Sequence, residues 1–154
     1  MATNDLIYMK MTLSLAETAA RAGEVPVGAL IVKDDEVIAS AYNLRETLQS
    51  PTAHAEMLAI ERASKRLGSW RLLGCTLYVS LEPCYMCAGA LVQARIQRVV
   101  YAAKDPKAGA LGSLYSLADD VRLNHRFAVT DGLYAEESAR QLKQFFATRR
   151  LDRG

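Results

Sequence analysis

From Thr76 to Ala103 the chain reads as one unit: a β-prone apolar run from Thr76 to Leu81, a helical run from Cys84 to Ala94, and a second β-prone run from Arg98 to Ala103. Two strands joined through a helix of this length lie parallel in one sheet, and such a crossover is right-handed. That unit excludes an all-α or all-β fold and demands a sheet with helices packed on it. The helix opens with Pro83-Cys84-Tyr85-Met86-Cys87, so two thiols project the same way from a helix start. Backbone N–H groups and the helix dipole favour thiolates at that place.

The remaining elements follow from periodicity and punctuation. Residues from about Asp5 to Ala22 read as a first helix, with Leu6, Met9, Leu13, Ala16 and Ala20 on one face and Gly23 as its stop. Val25 to Val32 and Val37 to Tyr42 read as a hairpin across the turn Lys33-Asp34-Asp35-Glu36, with Pro26 at the strand's beginning or on an edge. Asn43 ends the hairpin, and a polar loop runs from Leu44 to Pro51. Ser50 as cap and Pro51 in the first turn predict a second helix running to about Leu67. After the crossover unit come a loop from Lys104 to Gly112, a short helical piece near Leu114 to Leu117, a last strand from Arg126 to Thr130, and a final helix from Ala135 to Arg150. Ala135, Ala139, Leu142 and Phe146 form the apolar face of that helix, which leaves Phe145 as its exposed ring. The expectation is a single domain over residues 1–154, an α/β layered fold around a five-stranded mixed sheet.

A chain of 154 residues can bury a core without disulfides. No apolar run is long enough to span a bilayer. The start carries no basic region followed by an apolar one, so no secretory signal is visible. Three cysteines, two of them in C-x-x-C, argue against a disulfide scaffold and for a reducing compartment, hence a cytoplasmic protein. The net charge of +2 says little about partners. Its distribution says more: Arg140, Lys143, Arg149, Arg150 and Arg153 face only Asp152 at the end of the chain. That tail is a phosphate footprint, or else a solvated helix end whose cations oppose the macrodipole.

His54 and Glu56 are polar groups in an apolar helical neighbourhood, which needs a reason. Taken with Cys84 and Cys87 they have one. His54, Cys84 and Cys87 form a three-ligand zinc site with the fourth position left for water, the arrangement of a catalytic rather than a structural zinc. Zinc lowers the pKa of bound water from about 16 to near 7. Glu56 beside that water takes its proton and returns it to a ring nitrogen and a leaving amine. These parts suit hydrolytic deamination of an amidine-like carbon in a purine or pyrimidine. Two other readings of the cysteines stand beside this one. C-x-x-C is also a thioredoxin-like dithiol, which would leave His54 and Glu56 without a task. Cys75 or His125 could close a structural zinc as fourth ligand, although Cys75 reads as a small buried hydrophobe and His125 as a surface or structural histidine.

On these residues the chain resembles the zinc-dependent nucleoside and nucleobase deaminases, whose signature is H-x-E followed by P-C-x-x-C. Within them it is similar to the bacterial-type tRNA-specific adenosine deaminases. The resemblance is carried by Glu24 to Ala29, Pro51 to Glu56, Leu81 to Ala90, Arg95 to Tyr101, Gly109 to Ser113, Asn124 to Arg126 and Phe145 to Arg150. It implies a three-layer α/β/α cytidine-deaminase-like fold and conversion of adenosine to inosine at the wobble position of a tRNA anticodon loop. It implies one zinc per subunit on His54, Cys84 and Cys87, with Glu56 shuttling protons during attack on C6 of the flipped adenine. Asn43 and the backbone N–H of Ala55 would hydrogen-bond the base, and Val27 and Leu81 would wall it. Asp105 would face the ribose or backbone, and Lys107, Arg149 and Arg150 the anticodon loop, with Phe145 and Phe146 in or near the stacking surface. A homodimer is implied, the partner subunit helping to shape the RNA site. Without the resemblance, Asn43 is also a good turn residue and Asp105-Pro106 a common turn opening. The alternative function is a free nucleobase or nucleoside deaminase acting on guanine or cytosine, which shares the zinc motif and needs no basic tail.

Overall fold

Side chains leave the central strands in two alternating sets, and the sets fix which helices lie on which face. A computed structural model describes residues 2–153, with side chains described from 4 to 149. The strands are β1 (Gly28–Lys33), β2 (Glu36–Tyr42), β3 (Cys75–Leu81), β4 (Arg98–Ala103) and β5 (Ala128–Asp131). Their spatial order is β2-β1-β3-β4-β5. β1 runs antiparallel to β2 and β3, whereas β3, β4 and β5 run parallel to one another. The sheet is therefore mixed and five-stranded, as expected. The helices are α1 (Ala2–Arg21), α2 (Ala55–Leu67), α3 (Tyr85–Gln93) and α4 (Ala135–Arg153). A 3-10 turn at Leu117–Asp119 stands three residues later than the helical piece expected near Leu114.

Ala29, Ile31, Leu77, Val79, Val99 and Tyr101 point to the face covered by α2 and α3, where Ala55, Ala59, Ala63, Ala88 and Leu91 meet them. Leu30, Val32, Tyr78, Val100 and Ala102 point to the other face, against Tyr8 and Met9 of α1 and beside Leu133 and Tyr134 at the start of α4. This is the strand period of two read out in three dimensions. Each fully buried Leu, Ile or Val contributes roughly 1.5–3 kcal/mol. The small residues of α2 and α3 let both helices lie close to the sheet.

α1 turns a different face to the sheet from the one its apolar spacing suggests. Leu6 is 43% exposed, while Asp5, Tyr8, Met9, Thr12, Ala16 and Ala19 are buried. Two contacts rotate it. The Asp5 carboxylate accepts hydrogen bonds from Arg98 Nη1 at 2.9 Å, Arg98 Nη2 at 2.7 Å and Tyr78 Oη at 2.7 Å. Gly28 lets the helix backbone press on β1, since a Cβ there would run into the Thr12 carbonyl oxygen and Leu15. A polar anchor and a close approach thus outweigh the apolar pattern of an exposed helix.

The hairpin turn is Asp34-Asp35, both with positive φ (50° and 60°), as a two-residue type I′ connection requires. Tyr8 Oη donates to Asp35 Oδ1 at 2.6 Å and ties the turn to α1. α4 also departs from expectation. Its buried contact is Ser138, while Phe146 is 45% exposed and Phe145 is half-buried. The roles assigned to the two rings are reversed: α4 packs on β4, β3 and α1, with Ser138 Oγ donating to the Ser80 carbonyl and Gln141 Nε2 to the Leu13 carbonyl.

Candidate metal centre and active site

α2 begins at Ala55, not at Pro51. Residues 51–54 form a turn and an extended link, so His54 becomes the residue that precedes the helix, with φ −72° and ψ 153°. The Ser50-Pro51 signal marks a turn one step upstream of the helix it was expected to start. The consequence for the site is direct. As N-cap of α2, His54 has its ring beyond the helix end, not packed on its side. Cys84 is the N-cap of α3 in the same way, and Cys87 lies buried in that helix's first turn.

The two helix N-termini converge. His54 Nδ1 lies 3.7 Å from Cys84 Sγ and 3.7 Å from Cys87 Sγ. The three donor atoms all lie within 4.8 Å of one another. A tetrahedral zinc with one nitrogen and two sulfur ligands has an N···S edge of roughly 3.6 Å, given the usual bond lengths. The donor set fits a divalent metal. Cys75 and His125 do not join it. Cys75 is buried at the start of β3, with its thiol directed to the Leu73 carbonyl at 3.7 Å. His125 Nε2 pairs with the Ile96 carbonyl oxygen at 2.6 Å. Among the described residues no fourth donor joins these three, and three ligands without a fourth is the pattern that leaves a position for a reactant.

Proton affinities follow from this crowding. The Cys87 thiol donates to Cys84, and this bond, with help from the His54 ring, outweighs burial and brings Cys84 down to about 4. Cys87 is pushed far up by the neighbouring Cys84, by burial and by Glu56. His54 is raised through its bond to Cys84, against the opposing effect of burial. A cluster that holds one thiolate and resists a second is a place where a cation takes over from a proton. Glu56 sits just inside α2 and is 4% exposed. Burial pushes its carboxyl up to about 7, the range in which a group both takes and returns a proton.

An open pocket of about 590 Å³ leads to these groups. Val25, Val27 and Leu81 supply apolar walls, and Asn43, Arg45, Ala55 and Asp105 stand around it with His54, Glu56 and Cys84. Five of the expected substrate residues, Val27, Asn43, Ala55, Leu81 and Asp105, are therefore brought together. The Asn43 amide is held in place: Nδ2 donates to the Val25 carbonyl at 3.2 Å, and Oδ1 accepts the Arg45 N–H at 3.1 Å. Each end keeps one further hydrogen-bonding position. Asp105 Oδ1 accepts the N–H groups of Lys107 and Ala108, which shapes the turn and leaves Oδ2 unused by these bonds.

Lys107 is exposed on the same turn, outside the pocket lining. Phe145 and Arg149 are not in the pocket. They lie on α4 against the end of α1, with the Arg149 guanidinium 5.3 Å from the Phe145 ring and Arg149 Nη1 donating to the Gly23 carbonyl at 3.3 Å. Gly23, the partner of Arg149, precedes the pocket residue Val25 by two positions. The side chain of Arg150 lies outside the described residues. Sequence reasoning passed over Arg45 and Glu82. Arg45 looked like one polar residue of a polar loop. Glu82 looked like a strand end, yet a charge between a strand and a Pro-Cys ligand segment is a signal in itself.

Comparison with known proteins agrees with this geometry. A family model described as MafB19-like deaminase matches residues 3–150. The chain is 51% identical over 144 residues to the tRNA-specific adenosine deaminase of Bacillus subtilis (strain 168), covering 94% of this chain and 89% of the relative. It is 45% identical over 146 residues to the tRNA-specific adenosine deaminase of Haemophilus influenzae (strain ATCC 51907 / DSM 11121 / KW20 / Rd), covering 94% and 84%. A solved structure from work on A-to-I editing by tRNA:A34 deaminases superposes with a TM-score of 0.85 at 44% identity, covering 88% of this chain and 98% of the other. The chain belongs to the MafB19-like deaminase family, in the group that includes the tRNA-specific adenosine deaminases.

Proposed function

We propose that this protein deaminates adenosine to inosine at the wobble position of a tRNA anticodon loop. The observation that carries the reading is the meeting of His54, Cys84 and Cys87 within 4.8 Å at two helix ends, in a chain whose tRNA-specific relatives match it over more than nine-tenths of its length. The resident metal is zinc, which two thiolates and an imidazole suit. When bound, zinc supplies the Lewis acidity that makes water a nucleophile near neutral pH.

The chain's own residues do the rest. Val27 and Leu81 exclude water and wall the flipped adenine. Asn43 offers its free amide position to the base, and the N–H of Ala55, in the first turn of α2 where such groups have no intrahelical partner, offers another donor. Glu56 accepts a proton from the attacking water and gives it to N1 of the ring. It then takes the second proton and passes it to the exocyclic amine. The C6–O bond forms, the C6–N bond breaks, and ammonia leaves. Asp105 faces the ribose, where a 2′-hydroxyl distinguishes RNA from DNA. Lys107, Arg149 and Arg150 meet the phosphates of the loop, and Phe145 shares that margin. An anticodon loop is already unpaired, so extruding its base costs at most a few kcal/mol.

The exposed Leu48, Tyr85, Leu114 and Tyr115 stand on segments bordering the pocket, which supports a homodimer whose partner subunit covers them. Among the described residues no helix is long and apolar enough to cross a membrane. With tRNA as substrate, the protein works in the cytoplasm. The relatives do not favour a free guanine or cytosine deaminase. The deciding experiment offers the purified protein an anticodon stem-loop with adenosine at the wobble position, the same loop with cytidine there, and free adenosine, cytosine and guanine. Inosine from the adenosine loop alone is expected. Turnover of a free base in preference to the loop would overturn the substrate assignment.

A further inference from the structure

Pocket walls made of loops need something to hold them, and one wall here is folded around a single buried carboxylate. Glu82 is 2% exposed, between Leu81 of the pocket wall and the Pro83-Cys84 ligand segment. Its Oε1 accepts the N–H of Asp105 at 3.0 Å and the Ser113 hydroxyl at 2.5 Å. Its Oε2 accepts the N–H groups of Leu111 and Ser113, each at 3.0 Å. Four donors from residues 105–113 thus converge on two oxygens. Gly109 belongs to the same arrangement, because a Cβ there would collide with the Glu82 carboxyl group. The loop is also stitched to the ligand segment, through Ala110 N–H to the Pro83 carbonyl at 2.9 Å and a β-bridge between Gly109 and Cys84.

We propose that Glu82 is a positioning residue for substrate binding: it holds the 105–113 loop so that Asp105 and Lys107 stand at the pocket mouth. The proposal rests on the RNA-deaminase reading above for what those two residues touch. The anchoring itself rests on geometry alone. Every acceptor position used by Glu82 is turned toward the loop, so it has no part in proton transfer at Glu56. A glutamine of equal size cannot substitute for it. Either orientation of the amide would aim an NH₂ group at N–H donors, leaving at least one buried donor unpaired.

The test is Glu82→Gln, read in three ways. Amide hydrogen exchange of Leu111 and Ser113 should accelerate by tenfold or more. KM for the adenosine stem-loop should rise about tenfold with kcat within about threefold, since interactions uniform in ground and transition state act on KM. Metal content should stay at the wild-type level. Ser113→Ala removes one of the four donors and should move exchange and KM the same way by a smaller factor, which keeps the test available if Glu82→Gln folds poorly. Wild-type exchange rates in either soluble variant would overturn the anchoring. Fast exchange with unchanged KM would overturn the link to substrate, and a loss falling on kcat and metal content would place Glu82 with the ligand segment instead. Should the wild type not turn over the stem-loop, the substrate reading falls, and the exchange measurement still decides whether Glu82 anchors the loop.

Discussion

His54 and Cys84 hold the same place on two different helices: each is the N-cap, each has extended backbone, and neither side chain makes a capping hydrogen bond. An N-cap side chain ordinarily accepts an N–H of the first turn, worth roughly 0.5–2 kcal/mol. Both residues forgo that bond and turn to each other at 3.7 Å. Two helix ends are thereby left partly unsatisfied, and both point their positive ends at a centre that gathers thiolate charge.

This arrangement sets metal binding against the stability of the metal-free chain. Asparagine is among the best N-cap residues, so His54→Asn should cap α2 while removing a ligand. The expected outcome is loss of stoichiometric zinc by elemental analysis and loss of turnover. In the presence of a chelator the variant should be more stable than the equally treated wild type by about 0.5–1 kcal/mol in urea melts. A variant that keeps full metal content would remove His54 from the ligand set.

Glu56→Gln separates chemistry from construction. Glutamine keeps the shape of a residue that is 4% exposed but cannot carry a proton between water and base. Metal content and melting temperature should stay near wild type, while kcat falls by about 10²–10⁴-fold or more. Residual activity close to wild type would exclude the proton-shuttle role.

The meeting of His54, Cys84 and Cys87 and the sheet were legible because each rests on local chemistry. H-x-E and P-C-x-x-C name their own donors, and the limits of β4 match expectation because Val99, Val100 and Tyr101 form a short β-prone core between clear breaks. The misreadings share another cause. α1 presents Asp5 inward because Arg98, ninety-three residues away, waits for it. α2 starts after Pro51 because the chain must deliver His54 to cysteines thirty residues further on. Periodicity sees neither partner. Glu82 and Glu24 were passed over for a similar reason: a carboxylate that folds a loop around itself looks, in one dimension, like any charged residue beside a turn.

Gly28 offers a test of that long-range packing. The approach of α1 to β1 leaves no space for a methyl group, which would meet the Thr12 carbonyl and the backbone of Ala16. Gly28→Ala should destabilise the protein by about 1–3 kcal/mol in equilibrium denaturation, the usual range for overpacking a close-packed core. A change below about 0.5 kcal/mol would show that α1 sits more loosely than described.

The basic margin on α4 is tested by salt. If Arg149 and Arg150 neutralise phosphates, the Arg149→Ala/Arg150→Ala variant should raise KM for the stem-loop and reduce the slope of log KM against log salt by about 1–2. kcat at saturating RNA should change little, because Arg149 stands outside the pocket lining. Equal KM at several salt concentrations would remove both residues from the RNA contact.

Glu24 is the second carboxylate with a loop folded onto it, on the Asn43 side of the pocket. It is fully buried, and its oxygens accept the Glu46 N–H at 3.0 Å, the Thr47 N–H at 2.6 Å and the Thr47 hydroxyl at 2.6 Å. Burial opposes its charge, but the Thr47 hydroxyl and the two backbone donors outweigh burial and hold the carboxyl below its ordinary value of 4.5. The sign follows from linkage. A carboxyl whose pKa is lower in the folded state binds protons more readily when unfolded, so its stabilisation is complete above about 4.5 and fades as the pH falls through the folded value. Glu24→Gln should therefore be less stable than wild type at pH 7, and the gap between the two should narrow as the pH drops below 4.5. Urea melts of both proteins with chelator present throughout, from pH 7 to pH 3, keep metal release at His54, Cys84 and Cys87 out of the comparison. A gap that stays constant across that range would mean that the loop is held by the shape of the side chain and not by its charge.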